Sequence, residues 1–175
     1  KFLNDLFNGL SSEWRIANLR YFNPIGAHSS GFLRESPKGD PTNIFPLIIK
    51  VARRELLELK IFGNDWLTKD GTGVRDYIHV MDLAQGHIRT LDYIQRKEPG
   101  IININLGTGK GTSVLELIKT FEEVNNVKVP YQFANKRKGD FGIVIADNSL
   151  ATSILNWQPV KTIQDMCRDG WKLTI

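Results

Sequence analysis

Apolar and polar positions change period several times along this chain, and each change predicts an element. Phe2, Leu3, Leu6, Phe7 and Leu10 recur at helical spacing and predict a helix over 1–10. Its amphipathic run begins without a cap, as a chain that starts inside an element would. Arg15–Phe22 is short and mostly apolar, reads as a buried strand, and stops at the breaker Asn23-Pro24. Residues 25–42 are crowded with Gly, Ser and Pro and read as a long loop, a type that in a compact domain is usually functional or disordered. Ile44–Ala52 is almost all apolar and predicts a helix, with Asn43 as its cap and Pro46 in its first turn.

Lys60–Phe62 predicts a short strand before the turn Gly63-Asn64-Asp65, and a second loop runs to Gly73. Val74–Val80 reads as a strand leading into a helix that ends near Gln95. Leu83, His87, Leu91 and Ile94 are expected on its inner face, with Asp82 near its start favouring the helix dipole. Ile101–Leu106 alternates as a strand does, Gly107–Gly111 turns the chain, and Ser113 with Glu116 makes a capping box. Val114, Leu117, Ile118, Phe121 and Val124 form the stripe of the next helix. Val129–Ala134 predicts a strand, and short helices follow near Ser149–Leu155 and Thr162–Lys172. Strands separated by helices argue an α/β or α+β class rather than a sandwich.

Composition changes this picture little: 41% hydrophobic and 24% charged residues suit a globular core. The net charge of +4 is spread out apart from Lys136-Arg137-Lys138, which disfavours a nucleic-acid surface and fits a local site for a phosphorylated small molecule. The single Cys167 excludes an internal disulfide and suits a reducing, cytoplasmic setting. The sequence holds no apolar run long enough to predict a membrane span.

Candidate chemistry narrows further. Gly107-Thr-Gly-Lys-Gly-Thr112 follows a strand and opens a helix, but Thr112 breaks the dinucleotide spacing and Gly111 breaks the P-loop, so it reads as a structural turn. Tyr93 and Lys97 have Tyr-x-x-x-Lys spacing without a cofactor loop before them and read as a solvated helix face. His28, His79 and His87 lack metal-ligand spacing, so no metal is expected. Arg75 follows two glycines, and Arg137 lies in Lys136-Arg-Lys-Gly-Asp140. Each alone reads as a surface arginine; converging with Asn23 and Asn43, they would clamp a diphosphate.

Several segments in order carry a family resemblance. They are Leu19-Arg-Tyr-Phe-Asn-Pro-Ile-Gly-Ala-His28, Pro37-x-Gly-x-Pro-x-Asn43, Phe62-Gly-Asn-Asp65, Asp70–Ala84, Asn105-Leu-Gly-Thr-Gly109, Arg137-x-Gly-Asp140 and Leu155-Asn-Trp157. Together they resemble the C-terminal half of the UDP-glucose 4-epimerases, extended short-chain dehydrogenase/reductases. The resemblance implies an α/β fold: the C-terminal part of an extended Rossmann-type enzyme with its substrate-binding α/β subdomain. It implies that 1–24 belong to the NAD-binding domain and that 25–175 mainly bind UDP-sugar. Tyr21 and Phe22 would lie beside the nicotinamide of NAD. Asn23, Asn43, Lys60, Ile61, Phe62, Arg75, Arg137 and Asp140 would contact the UDP-sugar, and Val144 would stand at the sugar ring, where its medium size suits N-acetylated sugars. Thr42 replaces the first Asn of a family Asn-Asn pair.

The implied reaction interconverts UDP-glucose and UDP-galactose through a 4-keto sugar. Its Gly-rich cofactor loop, catalytic Tyr-x-x-x-Lys and catalytic Ser/Thr belong to the family's other half, so this chain alone is expected to be inactive. The intact family is homodimeric. Another nucleotide-sugar epimerase or dehydratase, or a non-catalytic UDP-sugar-binding module, are the alternatives.

Overall fold

The computed structural model describes residues 13–33, 39 and 41–172; the helix expected over 1–10 lies outside these. Among the described residues nine strands and five helices follow in order. They are β1 (Arg15–Tyr21), β2 (Asn23–Ile25), α1 (Ile44–Ala52), β3 (Leu59–Phe62), β4 (Val74–Arg75) and β5 (Tyr77–His79). After these come α2 (Val80–Gln95), β6 (Gly100–Leu106), β7 (Thr112–Ser113), α3 (Val114–Asn125), β8 (Tyr131–Ala134), β9 (Ile143–Val144), α4 (Ser149–Leu155) and α5 (Ile163–Trp171).

Pairing is mostly parallel, as crossovers through helices require. β1 lies along β6 from Arg15↔Gly100 to Tyr21↔Leu106. β2 pairs with β5, and β3 with β8, both parallel. β4 sits between antiparallel β7 and parallel β9. Asn23-Pro24 therefore does not end strand structure: Pro24 occupies β2, which pairs on one side with β5, and an edge position spares it the ladder bond it cannot donate. The predicted strand Val74–Val80 is split at Asp76, and the strand before Ala134 begins at Tyr131.

Two apolar clusters hold the elements together. One gathers Phe45, Ile48, Leu59, Ile61, Tyr77, Leu117, Phe121 and Met166, from α1, β3, β5, α3 and α5. The other gathers Ile78, Leu83, Ile104, Leu106, Ala151, Leu155 and Trp157, with Leu19 of β1 against it. The α3 stripe is inside as its periodicity predicts: Leu117, Ile118 and Phe121 are buried. On α2 the inner face is rotated from the predicted one. Leu83, Gly86 and Thr90 are buried, whereas Leu91 is 55% exposed. A Cβ on Gly86 would stand 3.1 Å from Leu106 Cδ1, so a small residue lets the helix lie close on β6. Tyr93 is half-buried against this cluster, with Lys97 Nζ 4.9 Å from its ring centroid, rather than fully solvated.

Candidate functional site

A cleft of about 160 Å³ opens between α1, β3 and the loops around β4 and β9. Asn23 reaches it from the start of β2, Asn43 from the N-terminus of α1, and Lys60, Ile61 and Phe62 from β3. Arg75 enters from β4, and Arg137 with Asp140 from the loop after β8. Eight of the sequence-selected residues thus meet at one place. Tyr21, Phe22 and Val144 do not line it. Tyr21 and Phe22 stand at the carboxyl end of β1, and Val144 is half-buried on β9, in register with Arg75.

The electrostatics favour an anion. Three cations, Lys60, Arg75 and Arg137, line the cleft with one carboxylate, Asp140. Arg137 Nε donates to Asp140 Oδ2 at 2.9 Å, and its guanidinium carbon lies 4.6 Å from the Phe62 ring centroid, which sets the fork in place. Arg75 makes no ion pair with a carboxylate among the described residues; its Nη1 donates to the Val74 carbonyl at 2.9 Å. Asn43 occupies the N-cap position of α1 with extended backbone, but its side chain makes no capping hydrogen bond, contrary to the capping expected of it. No acidic residue lies in that first turn. The helix N-terminus beside the cleft therefore keeps its positive end.

The Gly107–Thr112 turn offers no such site. Buried Asp76 fills it from inside: the N–H of Thr108 donates to its carboxylate at 2.8 Å, that of Gly109 at 2.9 Å and that of Ala146 at 3.2 Å. The same Asp76 accepts from the Asn23 N–H through its carbonyl (2.9 Å) and donates its own N–H to Val144 (3.1 Å), joining β2 to β9 beside the cleft. Asp82 lies in the first turn of α2, as expected, and is also buried, its carboxylate accepting from the N–H groups of Val160 and Lys161.

Reading the sequence missed Trp66 and Tyr77 as cleft residues. Tyr77 lies two positions from Arg75 across the break at Asp76, and burial pushes its phenol pKa up. Trp66 carried one signal, an aromatic side chain inside a loop otherwise rich in Gly, Asp and Thr. No group of three or more His, Cys, Asp or Glu among the described residues could hold a metal ion. None of the described helices is long and apolar enough to cross a membrane.

Residues 9–105 match the family model described as the NAD dependent epimerase/dehydratase family. The chain belongs to this family. It is 48% identical over 170 residues to a UDP-glucose 4-epimerase of Bacillus subtilis, a match covering 97% of this chain and 50% of that protein. The crystal structure of UDP-glucose 4-epimerase from Bifidobacterium longum in complex with NAD+ and UDP superposes with a TM-score of 0.92 at 46% identity, over 98% of this chain and 50% of that one. The Stenotrophomonas maltophila enzyme, with bound NAD and formylated UDP-arabinopyranose, gives the same TM-score and identity over 98% of this chain and 51% of its own. The chain spans about half the length of the curated relatives it matches. The family fold agrees with the α/β fold that the resemblance implied and decides between the α/β and α+β classes that the periodicity left open.

Proposed function

We propose that this chain carries the UDP-sugar-binding half of a UDP-glucose 4-epimerase. The observation that supports it most is the convergence of Asn23, Asn43, Lys60, Phe62, Arg75, Arg137 and Asp140, scattered in sequence, on one cationic cleft. Arg75, Arg137 and the α1 N-terminus take the diphosphate. Lys60, Ile61 and Phe62 flank the uracil, and Asp140 the uridine side. Asn23 reaches the sugar, with Val144 at the sugar end admitting N-acetylated forms. The cleft's volume is below the roughly 300–1,000 Å³ usual for small-molecule sites, which suits one wall of a wider site. Residues 1–24 belong in this reading to the cofactor half and 25–175 mainly to the substrate half.

Tyr21 and Phe22 fit one side of a nicotinamide site. They stand at the carboxyl end of a parallel strand, where open α/β sheets bind ligands, and Tyr21 is about half exposed with its hydroxyl 2.6 Å from His87 Nε2. When bound, NAD supplies a reversible hydride acceptor for the hexose C4. The residues of this chain hold and orient the nucleotide sugar.

Calorimetric titration of the purified 175-residue chain with UDP tests the reading, together with an assay of UDP-galactose turnover. Saturable UDP binding with no turnover is expected. Absence of UDP binding by folded chain overturns it, and turnover free of host enzyme overturns the division of labour.

A further inference from the structure

The loop after β8 brings Arg137 and Asp140 to the cleft, yet residues 135–139 are all exposed. Within the loop the Asp140 N–H donates to the Arg137 carbonyl at 3.3 Å, and Gly139 adopts φ +90. Its two ends meet the same side chain. Lys136 Nζ lies 4.5 Å from the Trp66 ring centroid. At the other end, a Cβ on Gly142 would stand 3.0 Å from Trp66 Cε3, so the indole lies close against that backbone.

Trp66 is itself firmly seated. Gly63, at φ +88, leaves room for it: a Cβ there would stand 2.5 Å from Trp66 Nε1. Its N–H donates to Gly71, and Nε1 donates to the Phe62 carbonyl at 3.3 Å. The supporting loop is closed by Asp70, whose carboxylate accepts from the Thr72 N–H, the Thr72 hydroxyl and the Ser113 hydroxyl. Lys136 adds an ion pair to Asp65 Oδ1 at 2.9 Å, beside the indole.

We infer that Trp66 is a positioning residue: it grips the loop at Lys136 and Gly142 and so sets the guanidinium of Arg137 against Asp140 and Phe62 for a diphosphate. The inference rests on the UDP-sugar reading of the cleft for its ligand, but not for its geometry. A phosphate-bearing ligand depends on this grip more than a bare nucleoside does.

The test has a ligand-free arm and a ligand arm, both on the 175-residue chain. In the first, exchange of the Arg137 Nε–H with solvent is followed by NMR in the wild type, Trp66→Leu, Trp66→Phe and Lys136→Gln. Loss of the grip frees the hydrogen bond to Asp140, so exchange accelerates roughly threefold or more in Trp66→Leu and Lys136→Gln, and Trp66→Phe restores most of the protection. Unchanged exchange in both Trp66→Leu and Lys136→Gln overturns the inference, whatever the ligand does. In the second arm, Trp66→Leu weakens UDP about tenfold and uridine by a clearly smaller factor, because only UDP engages a placed charge. Equal loss for UDP and uridine overturns positioning in favour of general support. A wild type that fails to bind UDP refutes the functional reading, and the exchange arm still decides the grip.

Discussion

Arg75 and Arg137 face the same cleft but are held differently. Arg137 is tied to Asp140 and stacked on Phe62, so its charge is partly spent before a ligand arrives. Arg75 has no carboxylate partner among the described residues, and its guanidinium is anchored through Val74 O. Arg75→Met, which keeps the aliphatic stem, is therefore expected to cost about 1.5–3 kcal/mol of UDP affinity, the range of a charge-assisted hydrogen bond, and little of uridine affinity. Calorimetry with both ligands checks this; equal losses would place Arg75 outside the phosphate site. The residue types were legible in the sequence, where each arginine alone read as a surface residue and the two suited a diphosphate only on converging with Asn23 and Asn43. Their partners were not. Whether Asn43 spends its side chain on a cap depends on what stands across the cleft, and the structure shows it uncommitted. Asp76 reads as one more polar residue beside Arg75, and only folding brings Thr108, Gly109 and Ala146 to its carboxylate.

Helix boundaries were the most legible elements. α1 and α4 match the predicted spans, and the Ser113–Glu116 capping box forms as its spacing predicts. Ser113 does a second job that no local pattern shows, donating its hydroxyl to Asp70 of the cleft loop. Burial pushes the Asp70 carboxyl up, but the hydrogen bonds from Ser113 and Thr72 outweigh it and hold it below the usual range. Ser113→Ala is expected to destabilise the fold by about 1 kcal/mol from the lost cap, and more where Asp70 is left short of a donor. Urea unfolding measures it, and a change within error would mean the cap is not formed. α5 repeats the device with Thr162 and Asp165, whose hydrogen bonds lower the Asp165 pKa to about 2. A lowered carboxylate stabilises above its unfolded value of 3.8, and that stabilisation is lost as pH falls toward 2, so Asp165→Asn should flatten the acid limb of stability in that window. The inner face of α2 was misread because apolar periodicity there offers two stripes. Gly86 and Thr90 won the inner position since close approach to Leu106 rewards small side chains.

At the scale of the whole molecule, one polar contact ties the C-terminal helix to the sheet bearing the cleft residue Asn23. His79, at the end of β5, accepts the Met81 N–H at Nδ1 and points Nε2 toward Asp169 of α5 at 3.3 Å. Gly26, at φ +86, leaves room for the ring: a Cβ there would stand 3.0 Å from Nε2. Burial lowers the His79 pKa below 6.5, against the pull of Asp169, so the folded state prefers neutral imidazole. The unfolded chain binds the extra proton first. Stability is therefore full above about pH 6.5 and falls as pH drops from there through the lowered folded value. Urea midpoints between pH 8 and pH 5 should decline in the wild type and decline less in His79→Gln; equal slopes would exclude His79 as the source. Cys167 lies in the same helix with its thiol pushed up to about 12 by burial. Its labelling by a thiol reagent should therefore track global unfolding, and fast labelling under native conditions would refute that.

The sequence by itself determined most of the helix spans, an α/β or α+β class and the residue types of the cleft, because backbone propensity and periodicity act over a few neighbours. Its ordered motifs also carried the family resemblance. Only the tertiary structure decided which of those residues meet, because convergence across β2, β4 and the loop after β8 depends on sheet pairing between distant segments. It also decided that the Gly107–Thr112 turn is filled by Asp76 and that Trp66 stands beneath the loop of Arg137. Both outcomes turn on which buried donors and aromatic faces the packed chain leaves without any other partner, and local sequence does not encode that.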